Sequence, residues 1–315
     1  MREITVTGEY DGMRLDRFVS KMCDVPKSAV QRLIRTGKVK CNGRKTSADG
    51  RVAPGDVIAV YAADAQPRAV TFTPLPAPQI AYEDELILAA VKPPALATQP
   101  FASPGGDCLT ERVKYYLKDE IMKYNGAFAP GAVGRLDTNT SGLVLFAKTP
   151  DAAAALSTLS RSGKITKKYY VLVRGEFAQK KKSTHWAVKD PALNKMSVFD
   201  EKVSGRLEMT TVYEPLATKG GVTLLSALLI TGRTHQIRAQ LAHMGFPVAG
   251  DMKYGDQAFN ASLRAQCGLK RQFLHCAQVS FPAWYSAGTI RLISRPGGDL
   301  AACAEKLGIC IPQMK

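Results

Sequence analysis

No run of about 18 apolar residues occurs in the chain, which excludes a membrane-spanning helix by hydropathy. No hydrophobic segment near Met1 has the form of a signal peptide. The seven cysteines (Cys23, Cys41, Cys108, Cys267, Cys276, Cys303, Cys310) include no C-x-x-C pair, and their odd, scattered count fits a reducing compartment. None has zinc-ligand spacing, and four histidines are too few for a His-rich site. His235 and His243 stand eight apart and could share a helix face, but one structural and one surface histidine is the favoured reading. The Walker loop, G-x-G-x-x-G and the G-x-S-x-G elbow are all absent. These absences predict a cytoplasmic protein with no metal and no cofactor. Acids are also scarce. Among 315 residues, 43 Lys and Arg face 27 Asp and Glu, a formal net charge of +16. Such a balance points to a polyanionic partner.

Composition shifts once along the chain. AADAQPRAVTFTPLPAPQ is proline-rich with little apolar periodicity, and it reads as a linker. The expected division is therefore a small unit over 1–65, a linker over 66–80 and a large unit over 81–315. In the small unit, Ile4-Thr5-Val6 forms a short strand. Leu15, Phe18, Val19 and Met22 follow helical spacing. A second helix begins near Ser28, a plausible N-cap, and stops at Gly37. A hairpin turns at Asn42-Gly43. From Lys27 to Lys45 stand seven basic residues (Lys27, Arg32, Arg35, Lys38, Lys40, Arg44, Lys45) and no acid. A charge run is usually a solvated face; a stripe of one sign suits the spacing of phosphates. The RLDRF start, the SAVQRLIRTGKVKCNGR core and the closing PGDVIAV resemble an S4 RNA-binding domain. That resemblance implies binding to structured RNA through the helix and the loop that follows it.

The large unit mixes strands and helices. Thr110 is expected to cap a helix running to about Tyr124 and ended by Asn125-Gly126. Asp151 is expected to cap an Ala-rich helix ended by Gly163. Leu143–Ala147, Tyr169–Val173 and Thr223–Ile230 read as strands. Thr231–Met244 reads as a corner leading into a helix stopped by Gly245. Strands without regular βαβ alternation predict an α+β fold with a mixed, largely antiparallel sheet flanked by helices.

Within this unit VGRLDTNTSGLVLFAK sets one acid, Asp137, in a loop ahead of an apolar strand. No second acid lies between Asn125 and Pro150, so a local carboxylate pair is excluded. Taken alone, Asp137 is either a reagent or a turn residue accepting backbone N–H bonds beside Arg135. Three further segments bear on the choice: KITKKYYVLVRGE, TGRTHQIR and FPVAGDMKYG. With VGRLDTNTSG they resemble, in order, the R-L-D-x-x-T-S-G, K-x-Y, G-R-T-H-Q-I-R and P-x-x-G-D-x-x-Y-G patterns of the RluA/RluD family of RNA pseudouridine synthases. The resemblance spans roughly 80–295.

It implies isomerisation of uridine in RNA, with large-subunit (23S) ribosomal RNA as the expected substrate and no cofactor. Under it Asp137 is the catalytic carboxylate. Tyr169 packs on the target base and helps remove the C5 proton. Arg233 pairs with the aspartate, and Arg135 contacts RNA near the vacated base. Lys27, Arg32, Arg35, Lys38, Lys40 and Arg44 of the first basic stripe are expected RNA contacts, as are Lys167 and Lys168 within a second basic track from Arg161 to Lys182. Leu274, in a segment resembling the family's L-H-A with Cys276 in place of Ala, packs beside the pocket or in the core. A carboxylate in a pocket shaped for a neutral base resists ionising, and an arginine within about 4–6 Å favours the charged form. Ionised, Asp137 either attacks C1′ or takes a proton from C2′. The flipped uridine leaves its stack at a cost of a few kcal/mol. One position departs from the pattern: Gly134 stands where many members have His. The competing readings are a non-catalytic RNA-binding or assembly protein, a synthase acting on transfer RNA and a metal-dependent nuclease, the last lacking clustered acids. A monomer is expected.

Overall fold

A computed structural model describes residues 2–23, 25, 27–61, 72–100, 106–123 and 128–314. By contact clustering the chain divides into two compact units, Met1–Phe72 with Lys118–Ala129 and Thr73–Leu117 with Pro130–Lys315.

In the first unit a four-stranded antiparallel sheet is ordered β1-β4-β2-β3, from β1 (Arg2–Thr5), β2 (Val39–Cys41), β3 (Arg44–Lys45) and β4 (Val57–Val60). Helices α1 (Leu15–Cys23) and α2 (Lys27–Arg35) bury their apolar stripes on it through Leu15, Phe18, Val19, Val30 and Ile34. The β2–β3 turn takes positive φ at both Asn42 and Gly43, the twist a two-residue hairpin requires. Helix α2 starts at Lys27, so Ser28 lies inside its first turn.

Lys27 differs from the other basic residues of the stripe. Its Nζ lies 3.4 Å from the fully buried Asp16, which also accepts from Arg14 and Gln31. Those hydrogen bonds hold the Asp16 carboxyl far below the usual range, so part of the Lys27 charge is already compensated. Arg32, Arg35, Lys38 and Arg44 are exposed, with no carboxylate within 4 Å among the described residues. Lys40 is half-buried over the Tyr61 ring.

The second unit carries a ten-stranded sheet: β5 (Gln79–Glu83), β6 (Ile87–Lys92), β7 (Ser141–Ala147), β8 (Thr166–Arg174), β9 (Lys181–Asp190), β10 (Lys195–Phe199), β11 (Leu207–Lys219), β12 (Val222–Leu229), β13 (Leu274–Pro282) and β14 (Thr289–Ile293). The order is β10-β9-β11-β12-β8-β13-β7-β6-β5, with β14 on β13. Only the β13–β7 pairing among these is parallel, so the sheet is mixed and largely antiparallel. Its helices are α3 (Leu109–Tyr116), α5 (Pro150–Arg161), α6 (Gln236–His243), α7 (Gln257–Cys267) and α8 (Gly298–Lys306), while α4 (Lys118–Lys123) is counted with the first unit.

Alternation along β8 sorts its side chains. Tyr170 and Leu172 enter the core with Leu224, Leu263, Phe273 and Leu300, against α7 and α8, while Lys167 and Tyr169 face the other way, into a cleft. The parallel β7–β13 contact rests on Gly142, where φ is +118° and an added Cβ would stand 2.3 Å from the Cys276 carbonyl oxygen. Only glycine fits there.

Several local expectations shift. The cap of α5 is Thr149, whose hydroxyl accepts from Ala152 N; Asp151 lies one turn position inside, after Pro150 at N1. The residue ahead of α3 is Cys108, and Thr110 is buried with its hydroxyl donating to Thr98 O. Helix α3 closes at Tyr116, and the expected stop over Tyr124, Asn125 and Gly126 lies outside the described residues. Strand β5 already begins at Gln79, inside the expected 66–80 linker, of which 66–71 is likewise outside the described residues.

Candidate active site

Asp137 sits in the loop 136–140 between α4 and β7, and buried side chains from other elements grip that loop. Thr98 Oγ1 both donates to Leu136 O and accepts from Leu136 N, each at 3.0 Å. Lys92 Nζ donates to Thr138 O at 2.8 Å, Arg271 Nη1 to Asn139 O at 3.0 Å and Gln272 Nε2 to Thr140 Oγ1 at 3.3 Å. A loop with this many fixed points holds its carboxylate in place before substrate arrives.

Lys92 follows five apolar residues of β6 and is fully buried. Burial pushes its pKa down to about 7, while three carbonyls (Pro93, Leu96, Thr138) at 2.7–2.9 Å match the three donors of an ammonium. Lys92→Met would orphan all three. It is expected to cost roughly 2–5 kcal/mol and lower the melting temperature by several degrees, on the order of 10 °C, with loss of activity. Calorimetry on the full chain checks this.

The carboxylate of Asp137 is a quarter exposed and, among the described residues, meets one cation within 4 Å. Arg238 Nη1 donates to Asp137 Oδ2 at 2.7 Å. The same guanidinium donates through Nε and Nη2 to both oxygens of the fully buried Asp251, at 2.7 and 2.9 Å. Asp251 also accepts from Lys253 N and Tyr254 N. Burial raises its carboxyl, but the Arg238 hydrogen bond and charge, with the two backbone bonds, hold it below the usual range. Arg238 is thus aimed by a bidentate clamp and offers its remaining edge to Asp137. Asp137 Oδ1 accepts no hydrogen bond among the described residues, so one oxygen of this cleft-lining carboxylate stays free.

The arginine expected beside Asp137 was Arg233, and the structure places it elsewhere. His235, at φ +53°, turns the chain, and α6 begins only at Gln236. Arg233 therefore lies in the exposed corner ahead of the helix, with Nε donating to Glu208 O, while Arg238 lies one turn inside and is buried. Gln236 fixes the corner, accepting from Thr231 Oγ1 and Arg233 N and donating to Thr210 O and Thr211 Oγ1. His235 and His243 do not share an environment: His235 bonds Tyr254 OH, and His243 bonds Asp200.

The cleft, of about 840 Å³, is lined by Asp137, Tyr169, Arg135, Arg233, Lys167 and Leu274 among others. Arg135 is exposed and Leu274 is buried at its wall. Burial raises the Tyr169 hydroxyl well above its ordinary range, and neighbouring Cys276 adds to this, so the resting phenol is neutral. Lys168 does not line the cleft, because alternation turns it to the opposite face of β8. The Arg161–Lys182 track is also interrupted, since Arg174 pairs with Asp256 and Lys180 with Glu214.

Away from the cleft, His185, Asp200 and His243 bring three ligand-type atoms within 4.8 Å of one another. Gln240 Nε2 donates to His185 Nδ1, and Ser183 O and Met209 O fix the orientation of that amide. His185 therefore carries its proton on Nε2, toward Asp200 at 3.6 Å. That tautomer describes a hydrogen-bonded His–Asp–His group and does not fit a metal ligand.

Behind the loop, His275 accepts from Ser141 Oγ at Nδ1 and donates to Ser294 O from Nε2. Burial pushes its pKa down to about 4 from an ordinary 6.5. A depressed histidine contributes stability that is present above pH 6.5 and lost as pH falls toward 4. His185 and His235 shift the same way. Stability to urea is expected to fall by about 2 kcal/mol between pH 7 and pH 5 from His275 alone, a slope that His275→Gln reduces.

A lone free carboxylate oxygen, oriented by a buried arginine in a basic cleft, defines an enzyme site for a polyanionic substrate. Residues 87–243 match the RNA pseudouridylate synthase family and residues 13–58 the S4 domain. The chain is 32% identical over 293 residues to a ribosomal large subunit pseudouridine synthase C of Haemophilus ducreyi, covering 88% of this chain and 86% of that one. It is 30% identical over 320 residues to the protein of that name from Escherichia coli strain K12, covering 96% of each. A solved human RNA pseudouridylate synthase domain containing 4 shares the fold, with a TM-score of 0.61 at 21% identity over 75% of this chain and 95% of that one. The chain belongs to the RNA pseudouridine synthase family, with an N-terminal S4 domain. It is an enzyme that isomerises uridine to pseudouridine in RNA. Among the described residues no helix is long and apolar enough to cross a membrane.

Proposed function

We propose that the substrate is large-subunit ribosomal RNA, modified in the cytoplasm by a monomer, with Asp137 as the catalytic carboxylate. The observation that carries the site assignment is the Asp137–Arg238–Asp251 arrangement at the floor of the cleft. Arg238 compensates the charge of Asp137 without occupying Oδ1, which is left to act at the sugar of a flipped uridine. Tyr169 and Leu274 wall the space for the base. The neutral phenol of Tyr169 suits packing on uracil better than taking its C5 proton in the resting enzyme. Arg135 and Arg233, exposed at the cleft, and Arg32, Arg35, Lys38 and Arg44 on the S4 unit provide phosphate contacts, with Lys27 and Lys40 in supporting places.

The ribosomal substrate is supported by the names of the relatives, which match over most of both chains. Incubation of the enzyme with unmodified large-subunit RNA is expected to produce new carbodiimide-dependent primer-extension stops at one or a few uridines. Stops in transfer RNA alone would move the assignment to that substrate.

A further inference from the structure

Gly134 and Lys167 occupy one space. Gly134 has φ +88°, and a Cβ built on it would stand 2.6 Å from Lys167 Nζ. Glycine thus meets two requirements here, a left-handed backbone and room for an ammonium. The Nζ has only a long bond, 3.4 Å to Val133 O, and no carboxylate within 4 Å among the described residues. An ammonium has three donors, so its hydrogen-bonding capacity is largely unused. Burial moves Lys167 below the ordinary lysine range, the sign of a cation that has lost water without gaining an anion. It lines the cleft on the same face of β8 as Tyr169, against the loop that carries Asp137 three residues after Gly134.

We propose that Gly134 and Lys167 together form a seat for a backbone phosphate of the target nucleotide. The missing side chain at 134 lets the Lys167 ammonium stand beside the loop of Asp137 and take a non-bridging phosphate oxygen as the uridine enters. This rests on the reading that the cleft acts on uridine in RNA. The cation that completes the site would then come from β8, and Gly134 would be the residue that admits it. A side chain at 134 would oblige the Lys167 ammonium to move away from the loop.

Single-turnover isomerisation of unmodified large-subunit RNA, at 50–200 mM KCl, tests the seat with Lys167→Met, Lys167→Arg, Gly134→Ala and the Gly134→Ala/Lys167→Met double variant. Circular dichroism checks that each folds. Lys167→Met is expected to weaken half-saturation roughly 3–10-fold at low salt and to flatten the log–log salt slope by about 0.7, one phosphate contact. Lys167→Arg restores the slope. Gly134→Ala weakens binding in the wild-type background and adds little once Lys167 is Met, because both changes remove the same contact. An unchanged slope in an active Lys167→Met enzyme overturns the seat, as does full additivity of the two substitutions. Failure of the wild-type enzyme to modify any uridine would instead overturn the functional reading beneath it.

Discussion

Asp137→Asn is expected to bind RNA as the wild type does and to lower the single-turnover rate of pseudouridine formation by roughly 10⁴-fold or more. The two halves of that expectation have separate causes. Asn keeps an oxygen for Arg238 Nη1, and Arg238 stays clamped by both oxygens of Asp251, so the floor of the cleft is retained. Stability should change by less than about 1 kcal/mol, since no buried charge loses its only partner. The chemistry, however, loses the carboxylate that lines the cleft. Equal losses in binding and rate would mean that Asp137 is a structural turn residue, the other reading its local sequence allows. Quantitative mapping of pseudouridine, with affinity from filter binding, separates the two.

Arg238→Met is expected to have the largest effect on the fold and an equally large one on activity. It strips the cation from two carboxylates at once, one of them fully buried. Breaking a buried pair costs about 3–5 kcal/mol, equivalent to a fall in melting temperature on the order of 10 °C for a unit of this size. Arg238→Lys should recover only part of this, because a point charge cannot hold both oxygens of Asp251 and still reach Asp137. Arg233→Met is the matched control. Its side chain is exposed and bonds a backbone carbonyl, so it should shift stability within about 0.5 kcal/mol and weaken RNA binding without abolishing turnover. Reversal of that order, with Arg233 essential and Arg238 dispensable, would contradict the geometry of the site.

The contrast between those two arginines shows what the sequence can convey. Both stand in TGRTHQIR, and the motif marks the segment without saying where the helix starts. That start is set by the left-handed turn at His235 and the four hydrogen bonds of Gln236, which are tertiary facts. Strands β7, β8 and β12 were legible because buried apolar runs bounded by turns have few other ways to fold. The cap of α5 went to Thr149 because Pro150 suits N1, a cue that was present and outweighed by the familiar preference for Asp.

Arg271 and Gln272 are not legible as loop anchors, since the backbone and hydroxyl they hold lie 132 residues away, whereas Asp251 stands only 13 residues from Arg238 but across a turn that the sequence does not orient. Lys92 carried a readable signal: a charge ending an apolar strand just before Pro-Pro needs buried acceptors. Gly134, an unexplained departure in the sequence, becomes intelligible only when β8 brings Lys167 to it.

The central claim is that Asp137, aimed by Arg238, isomerises uridine in large-subunit ribosomal RNA. Its most direct test is pseudouridine mapping of that RNA from a strain lacking this protein, complemented with wild type or with Asp137→Asn. One or a few carbodiimide stops should vanish in the deletion strain, return with wild type and stay absent with Asp137→Asn. Stops that persist without the protein, or that return with Asp137→Asn, would contradict it.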